Sequence, residues 1–131
     1  MSIEKPFDAW KATRHLCSVP QENIYLLINT NDGPIIELIQ EGESDVVYIK
    51  PQQVYNAIQK HVTQGHKILI HNHPKWANPS DADKAGLGRM LQLFQQNEVD
   101  ITDILIIAPN EYFSMQYNYL TKIKERDDND H

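Results

Sequence analysis

KILIHNHP, residues 67 to 74, sets the tightest limit on how this chain can fold. An apolar run that closes on two histidines and a proline reads as a buried strand that has to stop. Proline brings no N–H to a neighbouring strand, so Pro74 bars further ladder pairing and turns the chain away. Alternate residues of a strand share a face. His71 and His73 therefore come out side by side, and Asn72 points to the other face.

The rest of the chain supplies partners and cover for that strand. Residues 24–30 form a continuous apolar run followed by Asp32-Gly33, a strong turn signal. A hairpin is expected there, with residues 34–40 as its second arm. Residues 46–50 read as a third short strand. Pro51 opens a helix with Val54, Tyr55, Ile58 and Val62 on one face, and Gly65 ends it. Ser80 reads as the N-cap of a helix carrying Leu87, Met90, Leu91 and Phe94 at helical spacing. Residues 101–108 and 111–117 make a second hairpin around Pro109-Asn110. Residues 7–16 read as a short helix with Phe7, Trp10 and Leu16 on one side, and the last residues as one more helical turn. This order predicts an α+β fold, a mixed and mainly antiparallel sheet flanked by helices.

A length of 131 residues with 40% apolar content suits one core and one domain, residues 1–131. No apolar run is long enough for a membrane helix, and the first residues show no signal-peptide pattern. The single cysteine, Cys17, excludes a disulfide within the chain and reads as a small buried apolar residue. A cytoplasmic protein is expected. The formal net charge is −6, and the twelve Lys and Arg are scattered, which does not favour nucleic acid as a partner. Much of the acid lies in the tail, residues 124–131, expected to be solvated.

Two readings of residues 71–83 stand on the residues alone. In one, His71 and His73 converge, and the loop folds the Asp83 carboxylate back from the first turn of the next helix. Two neutral imidazoles and a carboxylate are three ligands for a tetrahedral zinc ion. A fourth position is left for water, whose pKa falls to about 7. In the other, SDAD is an ordinary helix start, a serine cap with acids favoured by the helix dipole, and the histidines need no metal. The literal string HNH is not the nuclease motif of that name, which spreads its residues over a longer ββα segment. His15, His61, His66 and His131 read as solvated or structural.

HNHP followed by a short loop and PSDAD resembles the JAMM (MPN+) metalloprotease signature, HxHP…SxxD, and more narrowly the RadC-like JAB domain. ENIYLLINTNDGPIIELIQEG is similar to that family's opening hairpin. VYIKPQQVYNAIQKHVTQGHKILIHNHP is similar to its helix and strand before the histidines, and ITDILIIAPNEYFSMQY to its closing hairpin. The resemblance spans roughly residues 20–118. It implies the JAB/MPN architecture, which is cytidine-deaminase-like.

The resemblance further implies one zinc per chain held by His71, His73 and Asp83, and Ser80 as a donor to the oxyanion. The family's general base is a glutamate upstream. Glu22, just before the first strand, matches its place, and Glu37 on the second arm is the alternative. The implied activity is hydrolysis of a peptide or isopeptide bond, with a peptide or ubiquitin-like protein as substrate. Trp76, in the loop over the site, either grips an extended substrate or anchors the loop. Two departures stand out. The loop from His73 to Asp83 is one residue shorter than usual, which makes Asp81 a fallback ligand. The helix-hairpin-helix-like region of full-length RadC proteins has no room in this chain, which weakens a DNA-repair role. Two alternatives stand beside the hydrolase: a non-catalytic interaction module of the MPN kind, and a RadC-type role linked to DNA repair or mobile elements, against which the acidic balance argues. Edge strands are expected to be open to a second chain or to substrate.

Overall fold

The computed structural model describes residues 3, 5–42, 50–61 and 65–124. Asp32-Gly33 forms the expected turn. Gly33 has a φ of +113°, a conformation that side chains with a Cβ rarely adopt. Thr30 Oγ1 closes the turn by accepting from the Asp32 N–H and donating to the Gly33 carbonyl. The elements follow in the order α1 (Pro6–Thr13), a 3₁₀ segment (Arg14–Ser18), β1 (Ile24–Thr30), β2 (Gly33–Gln40), α2 (Pro51–Lys60) and β3 (Lys67–Asn72). Then come α3 (Asp81–Gln96), β4 (Asp103–Ala108), β5 (Glu111–Ser114) and β6 (Tyr119–Lys122).

The strands form one six-stranded sheet in the order β2-β1-β3-β4-β5-β6. Every neighbouring pair is antiparallel except β3 and β4, which run parallel and are joined by the crossover through α3. The sheet is mixed, mainly antiparallel and flanked by helices. Its central strands are covered on both faces, which is why they read as unbroken apolar runs. One face presents Ile24, Leu26, Leu69, Ile104 and Ile106 to Val54 and Ile58 of α2 and to Leu87, Met90, Leu91 and Phe94 of α3. The other presents Tyr25, Leu27, Ile70, Leu105 and Ile107 to Ala9, Trp10 and Cys17.

Several sequence expectations change. The first helix ends at Thr13, and residues 14–18 tighten into 3₁₀ geometry. Arg14 is drawn across to the β4–β5 turn, where its Nε donates to the Pro109 carbonyl at 2.7 Å and its Nη2 to Asn110 Oδ1 at 2.9 Å. Trp10 is buried and donates from Nε1 to the Ala108 carbonyl, while Phe7 is 38% exposed. On α2, Ala57 takes the buried place expected of Tyr55, which is exposed. The arm expected over 111–117 stops at Ser114, because Asp103 Oδ1 accepts from Gln116 N–H and holds a turn over 115–118. The residues expected as a last helical turn instead pair with β5 as β6, from Glu111↔Lys122 to Ser114↔Tyr119.

Helix α2 ends at Lys60, before Gly65. Gly65 serves a different need: a Cβ there would lie 1.7 Å from the Asn29 carbonyl oxygen. The expected strand over 46–50, except Lys50, lies outside the described residues, as do Val62 and 125–131 of the tail. Among the described residues no helix is long and apolar enough to cross a membrane.

Candidate metal centre

The site lies where β3 runs out, on the face covered by α3. Backbone pairing of β1 with β3 ends at Ile24↔His71. The residues just before β1 therefore lie beside the histidines, although they are some fifty positions away in sequence. Both imidazoles are held from behind. His71 Nδ1 lies 3.0 Å from the Asn23 carbonyl, and His73 Nδ1 lies 2.9 Å from the Trp76 carbonyl. A carbonyl accepts only, so each Nδ1 carries the proton and each Nε2 in a neutral ring keeps a lone pair. The rings meet nearly edge to face, 4.7 Å between centroids.

Both Nε2 atoms are buried and have no hydrogen-bond partner among the described residues. Two carboxylates face them. Glu22 Oε1 lies 3.3 Å from His71 Nε2 and 3.5 Å from His73 Nε2. Asp83 places Oδ1 3.5 Å from His71 Nε2 and Oδ2 3.3 Å from His73 Nε2. These separations exceed ordinary hydrogen bonds. Ligand atoms of Glu22, His71 and His73 all lie within 4.8 Å of one another. Buried nitrogen lone pairs without a donor, backed by carbonyl acceptors and faced by carboxylates, fit a divalent cation with nitrogen and oxygen ligands.

Burial disfavours charge on His71, but the Asp83 and Glu22 carboxylates and the Asn23 carbonyl outweigh it. The pKa of His71 is raised to about 9. Burial pushes the Asp83 carboxyl up, yet His71, His73 and the Ser80 N–H hold it well below the usual carboxylate range. A metal ion taken up at His71 Nε2 would have to displace the proton held there.

With nine residues between His73 and Asp83, the Asp83 carboxylate faces both Nε2 atoms, but the group that could hold a metal ion, its ligand atoms all within 4.8 Å of one another, is Glu22, His71 and His73. Ala77 is fully buried in the middle of the loop, and its N–H donates to Glu111 Oε2 at 2.8 Å. Ser80 caps α3 as expected: its Oγ accepts from Asp83 N–H at 3.0 Å, and its own N–H donates to Asp83 Oδ2 at 3.1 Å. This reciprocal box fixes the Asp83 side chain. Asp81 is exposed on the first turn. The loop is anchored by Ala77 and by the Trp76 carbonyl, while the Trp76 indole is 68% exposed. Glu37 lies on β2 with its carboxylate on His61 Nε2 at 2.9 Å and Lys60 Nζ at 3.3 Å, and these partners, His61 first, lower its pKa. His15 and His66 are exposed, and His131 lies outside the described residues. Burial pushes the Cys17 thiol up to about 12, against the pull of Arg14, so it stays protonated.

Sequence reasoning missed Glu111 and Asn23. Glu111 did leave a signal, an acid in a strand that is otherwise apolar or aromatic. Asn23 left none, since its role is carried by its backbone carbonyl.

Residues 3–120 match the sequence profile of the RadC-like JAB domain. The chain is 32% identical over 99 residues to a UPF0758 protein of Alkaliphilus oremlandii, covering 75% of this chain and 42% of that protein. It is 30% identical over 99 residues to a UPF0758 protein of Pelodictyon phaeoclathratiforme, with coverages of 73% and 44%. It is 27% identical over 103 residues to the UPF0758 protein YkfG of Escherichia coli K12, with coverages of 76% and 65%. The chain thus spans less than half the length of the first two relatives and about two thirds of the third. With a match over most of its length, the chain belongs to the RadC-like JAB domain family.

Proposed function

We propose that this protein is a zinc-dependent hydrolase of the JAMM type, cleaving a peptide or isopeptide bond in a peptide or ubiquitin-like protein conjugate. One observation carries the reading: two buried Nε2 atoms without hydrogen-bond partners, facing two carboxylates. His71, His73 and Asp83 hold one zinc per chain, which when bound supplies a Lewis acid and lowers the pKa of water to about 7. Glu22 is left to take the attacking water's proton on its carboxylate and pass it to the leaving amine. The Ser80 hydroxyl uses a lone pair for Asp83 N–H, so its proton is free for the oxygen on which charge develops. Loss of one such donor costs on the order of 10²-fold in rate. The exposed Trp76 indole offers a flat apolar surface to an extended substrate beside the centre.

The test begins with metal content, by mass spectrometry on protein purified without a histidine tag. One zinc per chain is expected, lost in His73→Ala and in Asp83→Ala. A panel of ubiquitin-like fusions and isopeptides then follows, with Glu22→Ala as control. Zinc-dependent cleavage of a member, abolished in Glu22→Ala, supports the proposal. An absence of metal after zinc is offered refutes it and favours a non-catalytic interaction module.

A further inference from the structure

We infer that Asn72, between the two histidines and on the opposite face of the sheet, is the positioning residue that holds Glu22 over them; the inference rests on the reading of Glu22 as the proton acceptor beside a metal. The argument starts from where the ladder stops. Backbone pairing of β1 with β3 ends at Ile24↔His71, so residues 21–23 need other partners for their peptide groups. The Asn72 side chain supplies two of them. Its Oδ1 accepts from Asn23 N–H at 2.7 Å, and its Nδ2 donates to the Gln21 carbonyl at 2.7 Å and to the Leu16 carbonyl at 3.3 Å.

Glu22 lies between the two short bonds, so its backbone is pinned on both flanks. The alternation of side chains then sends Glu22 away from Asn72 and toward His71 and His73. The same peptide segment holds a ligand, since the Asn23 carbonyl accepts from His71 Nδ1. One amide therefore ties the proton acceptor and a histidine into one frame. Asn72 is fully buried, so water cannot replace it without rearrangement. The task needs a donor and an acceptor on one short side chain. Aspartate keeps the acceptor and loses the donor, alanine loses both, and neither change touches a metal-facing atom.

The experiment compares the wild type, Asn72→Ala, Asn72→Asp, Glu22→Gln and the Asn72→Ala/Glu22→Gln double variant. Each is loaded with cobalt(II) alone. The readouts are metal content, the pH midpoint of the cobalt visible band, and amide exchange at residues 21–24. Both Asn72 variants are expected to keep one cobalt per chain. In Asn72→Ala the midpoint should move at least halfway to that of Glu22→Gln, and the double variant should move no further. Asn72→Asp should fall between, and serves as the second variant if Asn72→Ala does not fold. Exchange at Asn23, whose N–H loses its acceptor in Asn72→Ala, should rise about tenfold, the factor that one lost hydrogen bond gives.

A midpoint unchanged in the Asn72 variants, while Glu22→Gln does shift it, overturns the inference and leaves the proposed function standing. A wild type that binds no metal, or a midpoint that Glu22→Gln fails to move, defeats the proposed function instead. The exchange readout then decides on the clamp. Faster exchange confined to residues 21–24 supports it, and unchanged exchange overturns it.

Discussion

The stability of the metal-free protein is expected to fall as pH rises through the neutral range, because the fold favours the charged form of His71. His71 is fully buried, and its pKa is raised from 6.5 to about 9 in the fold. Below pH 6.5 the ring is charged in both folded and unfolded chains, and the full contribution is present. Between 6.5 and about 9 the unfolded ring has lost its proton while the folded ring keeps it, so the contribution drains away. Each tenfold change in proton affinity is worth about 1.4 kcal/mol, so the span corresponds to roughly 3 kcal/mol. The depressed Asp83 carboxyl is the same contact seen from its other side and is counted once. A domain is stable by about 5–15 kcal/mol, so the effect is a visible fraction of the whole.

The assay is urea unfolding in the presence of a chelator, at intervals from pH 6 to about 8.5. The upper limit keeps clear of Cys17, whose buried thiol holds its proton while an unfolded thiol loses it from about pH 9. His71→Gln removes the effect and corrects for the exposed histidines. With zinc in place of the chelator the trend reverses, because a ligating imidazole is neutral and zinc competes better as protons become scarce. A metal-free wild type whose stability falls no faster than that of His71→Gln would refute the reasoning.

Three further outcomes are expected. Glu111→Leu leaves the Ala77 N–H buried without its carboxylate, at a cost of about 1–3 kcal/mol in urea unfolding, and weakens zinc uptake measured by competition with a chelating dye. Gly65→Ala forces a Cβ toward the Asn29 carbonyl and costs about 1–3 kcal/mol, read as a lower melting temperature with the zinc content of folded protein unchanged. Leu87→Ala opens a cavity under α3 and costs about 2–5 kcal/mol in the same assay.

The parts of the fold that were legible in the sequence are those written in neighbouring residues. Asp32-Gly33 gave up its hairpin, Pro51 and Ser80 their helix starts, and Pro74 the end of β3, because each acts on its own backbone. The histidine pair was legible through strand alternation, and Asp83 through its place three residues after a capping serine. What failed depended on distant partners. Residues 119–122 carry no apolar run and become a strand only because β5 offers a free edge. Arg14 distorts the end of the first helix by reaching 95 positions ahead to Pro109. Glu111 reaches back 34 positions to accept from the Ala77 N–H, in the middle of the loop between His73 and Asp83. No local pattern marks such bonds, since their value exists only once the sheet has formed.

The two tryptophans lie at opposite extremes of their surroundings, and this turns the unmodified chain into its own optical instrument. Trp10 is 3% exposed, with its indole N–H on a backbone carbonyl, whereas Trp76, whose backbone carbonyl accepts from His73 Nδ1, is 68% exposed. Their fluorescence therefore separates by colour and by access. Emission from Trp10 is expected to be blue-shifted and shielded from iodide, and to report whether the core is intact. Emission from Trp76 is expected to be red-shifted and readily quenched, and to respond to a ligand that arrives beside it. A ligand that seats beside the histidines would change only the quenchable fraction, so occupancy and unfolding can be followed in one cuvette without a label.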